Sequence, residues 1–185
     1  MDFETVLRWL IENFNAQNVR FALMGGFAMH VAGYMRSTQD LDMLVLKEDM
    51  PKVKDLMVAF GYELIHESED VSHFAGKLRQ LGHVDFLHAH RSYAKNMLQR
   101  AKECGILENK FKVKVLQPED LIGLKVQSSS NDPARYHQDV ADIEFLIRMN
   151  TSVLNMDLVK EYFDLFHREE ELNNLLKKIQ NAQSN

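Results

Sequence analysis

The segment Met24–Leu46, MGGFAMHVAGYMRSTQDLDMLVL, restricts what this chain can fold into more than any other. An apolar run, Val19–Met24, reads as a strand and ends on Gly25-Gly26. Two residues without a Cβ let the backbone turn sharply and approach a ligand closely. Phe27–Val31 reads as a short helix whose first N–H groups face whatever sits over the glycines, a geometry that suits a phosphate. A polar loop, Arg36–Gln39, leads into a second strand, Asp40–Leu46. Side chains alternate along a strand, so Asp40 and Asp42 are expected to project the same way. Two carboxylates side by side repel, and burying them uncompensated is costly. A divalent cation resolves that conflict, and oxygen-only ligands suit magnesium.

Around this segment the hydrophobic spacing predicts a mixed α/β chain. Residues 3–15 form an amphipathic helix through Phe3, Val6, Leu7, Leu10, Ile11 and Phe14. Asp49 is placed to cap the next helix, which carries Pro51 in its first turn and stops at Gly61. Tyr62–Glu67 reads as a strand, and Ser72–Gln80 with His83–His88 as a hairpin. Arg91–Glu103 reads as a helix. Phe111–Leu116 alternates apolar residues with Lys112 and Lys114, the pattern of an exposed or edge strand. After Gln117 everything reads as helix, broken at Ser128–Pro133: first Leu121–Val126, then Ala134–Met149, Leu158–Phe166 and Glu169–Ile179. The expected organisation is a core at 1–116 and a helical C-terminal extension at 117–185 packed on it.

Composition narrows the classes. Hydrophobic residues are 45% and charged residues 26% of 185 positions, ordinary for a globular chain. No apolar run is long enough to span a bilayer, and the first residues lack the basic and apolar parts of a signal peptide. Cys104 is the one cysteine, so no internal disulfide forms and a reducing cytoplasm is the expected location. A net charge of −5 argues against broad, non-specific DNA binding. Residues 73–115 nevertheless hold nine Lys and Arg against three Asp and Glu. That stretch reads either as a surface attracting triphosphate or RNA, or as a solvated helix face and a lysine-bearing strand.

Gly25-Gly26, Gly33, Arg36, Thr38, Asp40 and Asp42 together resemble the signature of polymerase-beta-type nucleotidyltransferases. The likeness is to the small prokaryotic branch near abortive-infection-type toxins and antibiotic nucleotidyltransferases, and it spans roughly residues 19 to 145. It implies a mixed nucleotidyltransferase sheet flanked by helices, and a third carboxylate from a later strand, for which Asp85 in His83–Leu87 fits. It also implies magnesium, as two ions with manganese a substitute, on Asp40, Asp42 and Asp85. Gly25, Gly26, Arg36, Ser37, Thr38 and Lys125 are then the nucleotide-binding set. Lys125 sits in Leu121–Lys125, similar to a motif whose lysine reaches the triphosphate. Arg135 and Asp139 match a following R-x-x-x-D, with Asp142 three residues on. One departure is visible: Phe27 stands where many relatives carry a serine that helps hold the triphosphate. The activity implied is transfer of a nucleoside monophosphate from an NTP such as ATP to a hydroxyl of tRNA or another RNA, a protein or a small molecule. A toxin role with an antitoxin partner follows from the resemblance alone.

Two other readings stay open on the residues. One is a catalytically inactive nucleotide-binding module with the same fold. The other is a zinc hydrolase built on His83, Asp85, His88 and His90, since imidazole is a common zinc ligand. Cys104 reads most simply as a small buried residue.

Overall fold

The computed structural model describes residues 1–34 and 38–183. They divide into two compact units, Met1–Val31 with Met35–Gln117 and Ala32–Tyr34 with Pro118–Asn185. Arg36 and Ser37, two expected nucleotide contacts, lie outside the described residues.

The first unit is a seven-stranded mixed sheet with helices. In chain order its strands are β1 (Phe21–Leu23), β2 (Leu41–Leu46), β3 (Tyr62–Glu67), β4 (Val71–Gly76), β5 (His83–Ala89), β6 (Lys102–Ile106) and β7 (Phe111–Val115). They are arranged β3-β4-β5-β2-β1-β7-β6. Central β2 runs antiparallel to β1 and parallel to β5. It is buried at every position except Asp42, as expected of an apolar strand covered on both faces. The first helix, α1 (Phe3–Ala16), starts at Asp2, whose carboxylate accepts from the Thr5 N–H at 3.2 Å and the Thr5 hydroxyl at 2.8 Å. It buries Val6, Leu7, Leu10, Ile11 and Phe14, and Trp9 stacks on Phe60 with centroids 4.0 Å apart. Short α2 (Gly25–Val31) follows β1 directly.

Three expectations are corrected here. Asp49 does not cap helix α3 (Met50–Phe60); its carboxylate accepts the Arg20 backbone N–H at 2.9 Å and guanidinium N–H groups at 2.8 and 3.1 Å. That charge-assisted set holds its pKa below the ordinary carboxylate value. The helix expected over Arg91–Glu103 ends earlier, as α4 (Ser92–Arg100), and Glu103 belongs to β6. Pairing of Lys102–Ile106 with Phe111–Val115 satisfies that backbone as a hairpin, overriding helix propensity. Consequently β7 is not an edge: β6 covers one side and β1 pairs with the other, while Lys112 and Lys114 stay exposed. The turn joining the hairpin holds Leu107, Glu108 and Asn109 at φ of 48°, 58° and 63°.

The second unit is helical: α5 (Pro118–Asn131), α6 (Tyr136–Asn150), α7 (Met156–Leu165) and α8 (Glu169–Gln183). The break expected over Ser128–Pro133 begins only at Asp132, because α5 runs on to Asn131; a short 3-10 turn, Pro133–Arg135, then leads into α6. The Ser129 and Ser130 hydroxyls donate to the carbonyls of Lys125 at 2.8 Å and Val126 at 2.7 Å, so these serines bond back into the helix. Arg168 then donates to both hydroxyl oxygens and to the Val126 carbonyl, and pairs with Glu171. Gly123 is needed for close packing: a Cβ there would stand 2.8 Å from the Tyr162 ring. The Tyr162 hydroxyl donates to buried Asp120 at 2.7 Å. No helix among the described residues is long and apolar enough to cross a membrane.

Candidate active site

The β1–α2 junction brings the first expected site residues together. The Met24 N–H donates to the Asp42 carbonyl at 3.0 Å, fixing the chain end that carries the glycines beside the start of β2. Gly25 has φ of +60°, which a residue with a Cβ adopts only under strain, and a Cβ there would collide with the Asp42 carboxylate. Gly26 lies against Thr38, where a Cβ would meet the threonine side chain. The Thr38 hydroxyl donates to the Asp40 carbonyl at 3.0 Å, closing the turn before β2. Both glycines are thus required by packing around the carboxylate loop.

Strand register supplies the rest. In the parallel β2–β5 pair Asp42 stands opposite Asp85, and continuing the register by one residue puts Asp40 beside His83. His83 Nδ1 is 3.6 Å from the nearer Asp40 oxygen, a contact too long for a hydrogen bond. Asp85 is bonded: His73 of β4, its antiparallel partner in register, brings Nδ1 to 2.8 Å from Oδ1. Nothing in the sequence marked His73 as special. The hairpin is centred on Arg79 rather than on the expected Leu81-Gly82, so the register that pairs His73 with Asp85 on one face was not readable from the turn.

Gly26 and Thr38 also line a cleft of about 570 Å³ that continues along Phe27, His30 and the β6–β7 turn. A second cleft of about 600 Å³, lined by Arg20, Leu46, Lys95 and Lys114, lies at the other end of β1 and β2, away from the carboxylates.

The donor set is all oxygen and two of its strands are in register, which fits a hard divalent cation. As the side chains stand, no group of three or more His, Cys, Asp and Glu among the described residues converges into a metal site. That also bears on the zinc reading. The His88 ring is buried on the other side of β5, between the Ser72 hydroxyl at 2.9 Å and the Glu69 carbonyl at 3.0 Å, and burial lowers its pKa. His90 pairs with Asp70 at 2.7 Å. These histidines have separate local partners and make no common centre.

Lys125, Arg135 and Asp139 come together within the helical unit. The Lys125 ammonium, 13% exposed, lies 2.8 Å from Asp139 and 2.7 Å from Asp142, both carboxylates being 0% exposed. Arg135 reaches Asp139 at 3.4 Å, and the Gln138 amide donates to Asp142 at 2.9 Å. Burial pushes the Asp139 pKa up; hydrogen bonds from Lys125 and Ser128, with the Lys125 and Arg135 charges, outweigh it and hold the pKa below the ordinary value. An ammonium has three N–H donors, so two carboxylates leave one uncommitted.

The fold recurs in solved structures of low sequence identity. The solution structure of the antibiotic-resistance factor ANT(2'')-Ia matches 100% of this chain and 99% of its own, at TM-score 0.62 and 13% identity. Lincomycin-bound lincosamide antibiotic adenylyltransferase LnuA is covered over 98% of its length by 82% of this chain, at TM-score 0.58 and 17% identity. A putative nucleotidyltransferase from Thermotoga maritima is covered over 92% of its length by 76% of this chain, at TM-score 0.56 and 10% identity. No curated protein sequence matches significantly. A family model described as an uncharacterised nucleotidyltransferase, however, matches residues 3–177, nearly the whole length, and the chain therefore belongs to that nucleotidyltransferase family.

Proposed function

We propose that this chain moves a nucleoside monophosphate from an NTP to a hydroxyl acceptor, with Asp40, Asp42 and Asp85 as the group that holds divalent cations. The observation that carries this reading is the in-register pairing of Asp42 with Asp85, beside a glycine that leaves room at the Asp42 carboxylate. The acceptor oxygen attacks the α-phosphorus, the bond to the bridging oxygen breaks, and pyrophosphate leaves. Asp85 takes the acceptor proton. Magnesium or manganese, when bound, supplies positive charge that stabilises the attacking and leaving oxygens. Gly25 and Gly26, at the start of α2, offer backbone N–H groups to the phosphates, and Arg36, Ser37 and Thr38 belong to the same nucleotide-binding set. Phe27 is half-buried along the cleft and packs edge-on against Phe3, centroids 4.9 Å apart, so phosphate contacts fall to the backbone and neighbouring side chains. Lys125, with its remaining donor, is the nucleotide-binding residue proposed in the helical unit; Asp139 and Asp142 hold it, and Arg135 pairs with Asp139.

A small-molecule hydroxyl is the acceptor class proposed first. Two structures of similar fold belong, by their names, to antibiotic resistance and lincosamide adenylylation, and each is covered over nearly its full length. An RNA 3′ end and a protein hydroxyl are the competing acceptors. The test supplies α-labelled ATP, CTP, GTP and UTP in turn with magnesium, together with aminoglycosides, lincosamides, total RNA or protein extract. Transfer to one acceptor class, lost in Asp42→Asn, is expected. Metal-independent nucleotide binding, equal in wild type and Asp42→Asn and with no transfer to any acceptor, would instead establish a binding module. A toxin role predicts growth arrest on expression, relieved by Asp42→Ala.

A further inference from the structure

We propose that His73 is a positioning residue that sets the Asp85 carboxylate, an inference that rests on Asp85 facing cation and acceptor. An ionised carboxylate only accepts, so the 2.8 Å contact assigns the proton to Nδ1, which donates to Asp85 Oδ1. The ring itself is placed twice over. Its strand register fixes it opposite Asp85, and the His66 ring of β3 stacks on it with centroids 5.4 Å apart and planes 28° from parallel. Donor and acceptor thus ride on adjacent paired strands, which hold side chains more narrowly than loops do. The consequence is a division of labour between the two oxygens: Oδ1 is committed to His73, and Oδ2 is presented to cation and acceptor. Among the described residues Asp40 has no equivalent, because His83 stands 3.6 Å away. Hydrogen-bonding partners of ligating carboxylates tune affinity and activity by about 10–100-fold.

The bond uses Nδ1, and that permits a sharp test. The asparagine amide nitrogen falls near the position of Nδ1, whereas that of glutamine falls near Nε2. Wild type, His73→Asn, His73→Gln and Asp85→Asn are compared as full chains, with melting temperatures recorded. Manganese alone is titrated by electron paramagnetic resonance, and kcat and KM for nucleotide are measured separately. His73→Gln is expected to bind manganese at least about tenfold more weakly and to lower kcat with KM little changed. His73→Asn is expected to return both towards wild type. If His73→Gln binds manganese as wild type does, or more tightly, His73 does not set Asp85 and the inference fails. If His73→Asn is as impaired as His73→Gln, the ring acts through Nε2 and the inference fails equally. If Asp85→Asn itself leaves manganese binding unchanged, the cation-holding role of Asp85 falls, a result distinct from either of these.

Discussion

At Gly25 the backbone runs close against the Asp42 carboxylate. A methyl group at Gly25 meets both a left-handed φ of +60° and the Asp42 carboxylate. The conformational part alone costs about 1–2 kcal/mol. Gly25→Ala is therefore expected to lower stability by at least that amount and to abolish transfer. Denaturant unfolding and a transfer assay check the two effects separately. At Asp49 the prediction concerns pH. Its carboxyl is depressed in the folded chain by Arg20, so it contributes stability above the unfolded value, about 3.9, and loses it as pH falls through the lower folded value. Unfolding free energies of wild type and Asp49→Asn should differ at pH 7 and converge in strong acid. A gap unchanged below the folded value would contradict this assignment.

At the scale of elements, α5 and α6 are joined by a lysine between two fully buried carboxylates. Removing one partner of such a set strands buried charge and typically costs about 3–5 kcal/mol. Lys125→Met should lose stability of that order, so any loss of transfer in this variant must be read beside its melting temperature. Replacing Asp142 by Asn in the same chain should recover part of the loss, because one stranded charge is removed. The β6–β7 turn offers the opposite sign. Glu108 is exposed and held at φ 58°, so Glu108→Gly relieves a left-handed residue and should stabilise the chain by up to about 1 kcal/mol in thermal unfolding.

Over the whole molecule, legibility followed the range of the interaction. The glycine pair, the D-x-D strand and the apolar spacing of α1 and α3 are local patterns, and the fold class follows from them. Lys102–Ile106 carries no strand pattern of its own and includes Gly105; it becomes β6 only because β7 lies beside it. The serines after Gln127 read as a loop because their polarity is local, while Arg168, which bonds two of them, is distant in sequence. Asp139 fits a motif and Asp142 lies three residues on, yet the complete burial of both depends on packing that no spacing reveals. His73 was illegible as a partner of Asp85 until strand register was known.

The most direct test of the account is pyrophosphate release under magnesium with an accepted NTP and hydroxyl acceptor, comparing wild type with Asp42→Asn at matched folded fraction. Wild type is expected to release pyrophosphate stoichiometrically with labelled acceptor, and Asp42→Asn to lose about 10²–10³-fold, the order seen when one group stabilising transition-state charge is removed. Release by Asp42→Asn at the wild-type rate would contradict the carboxylate site.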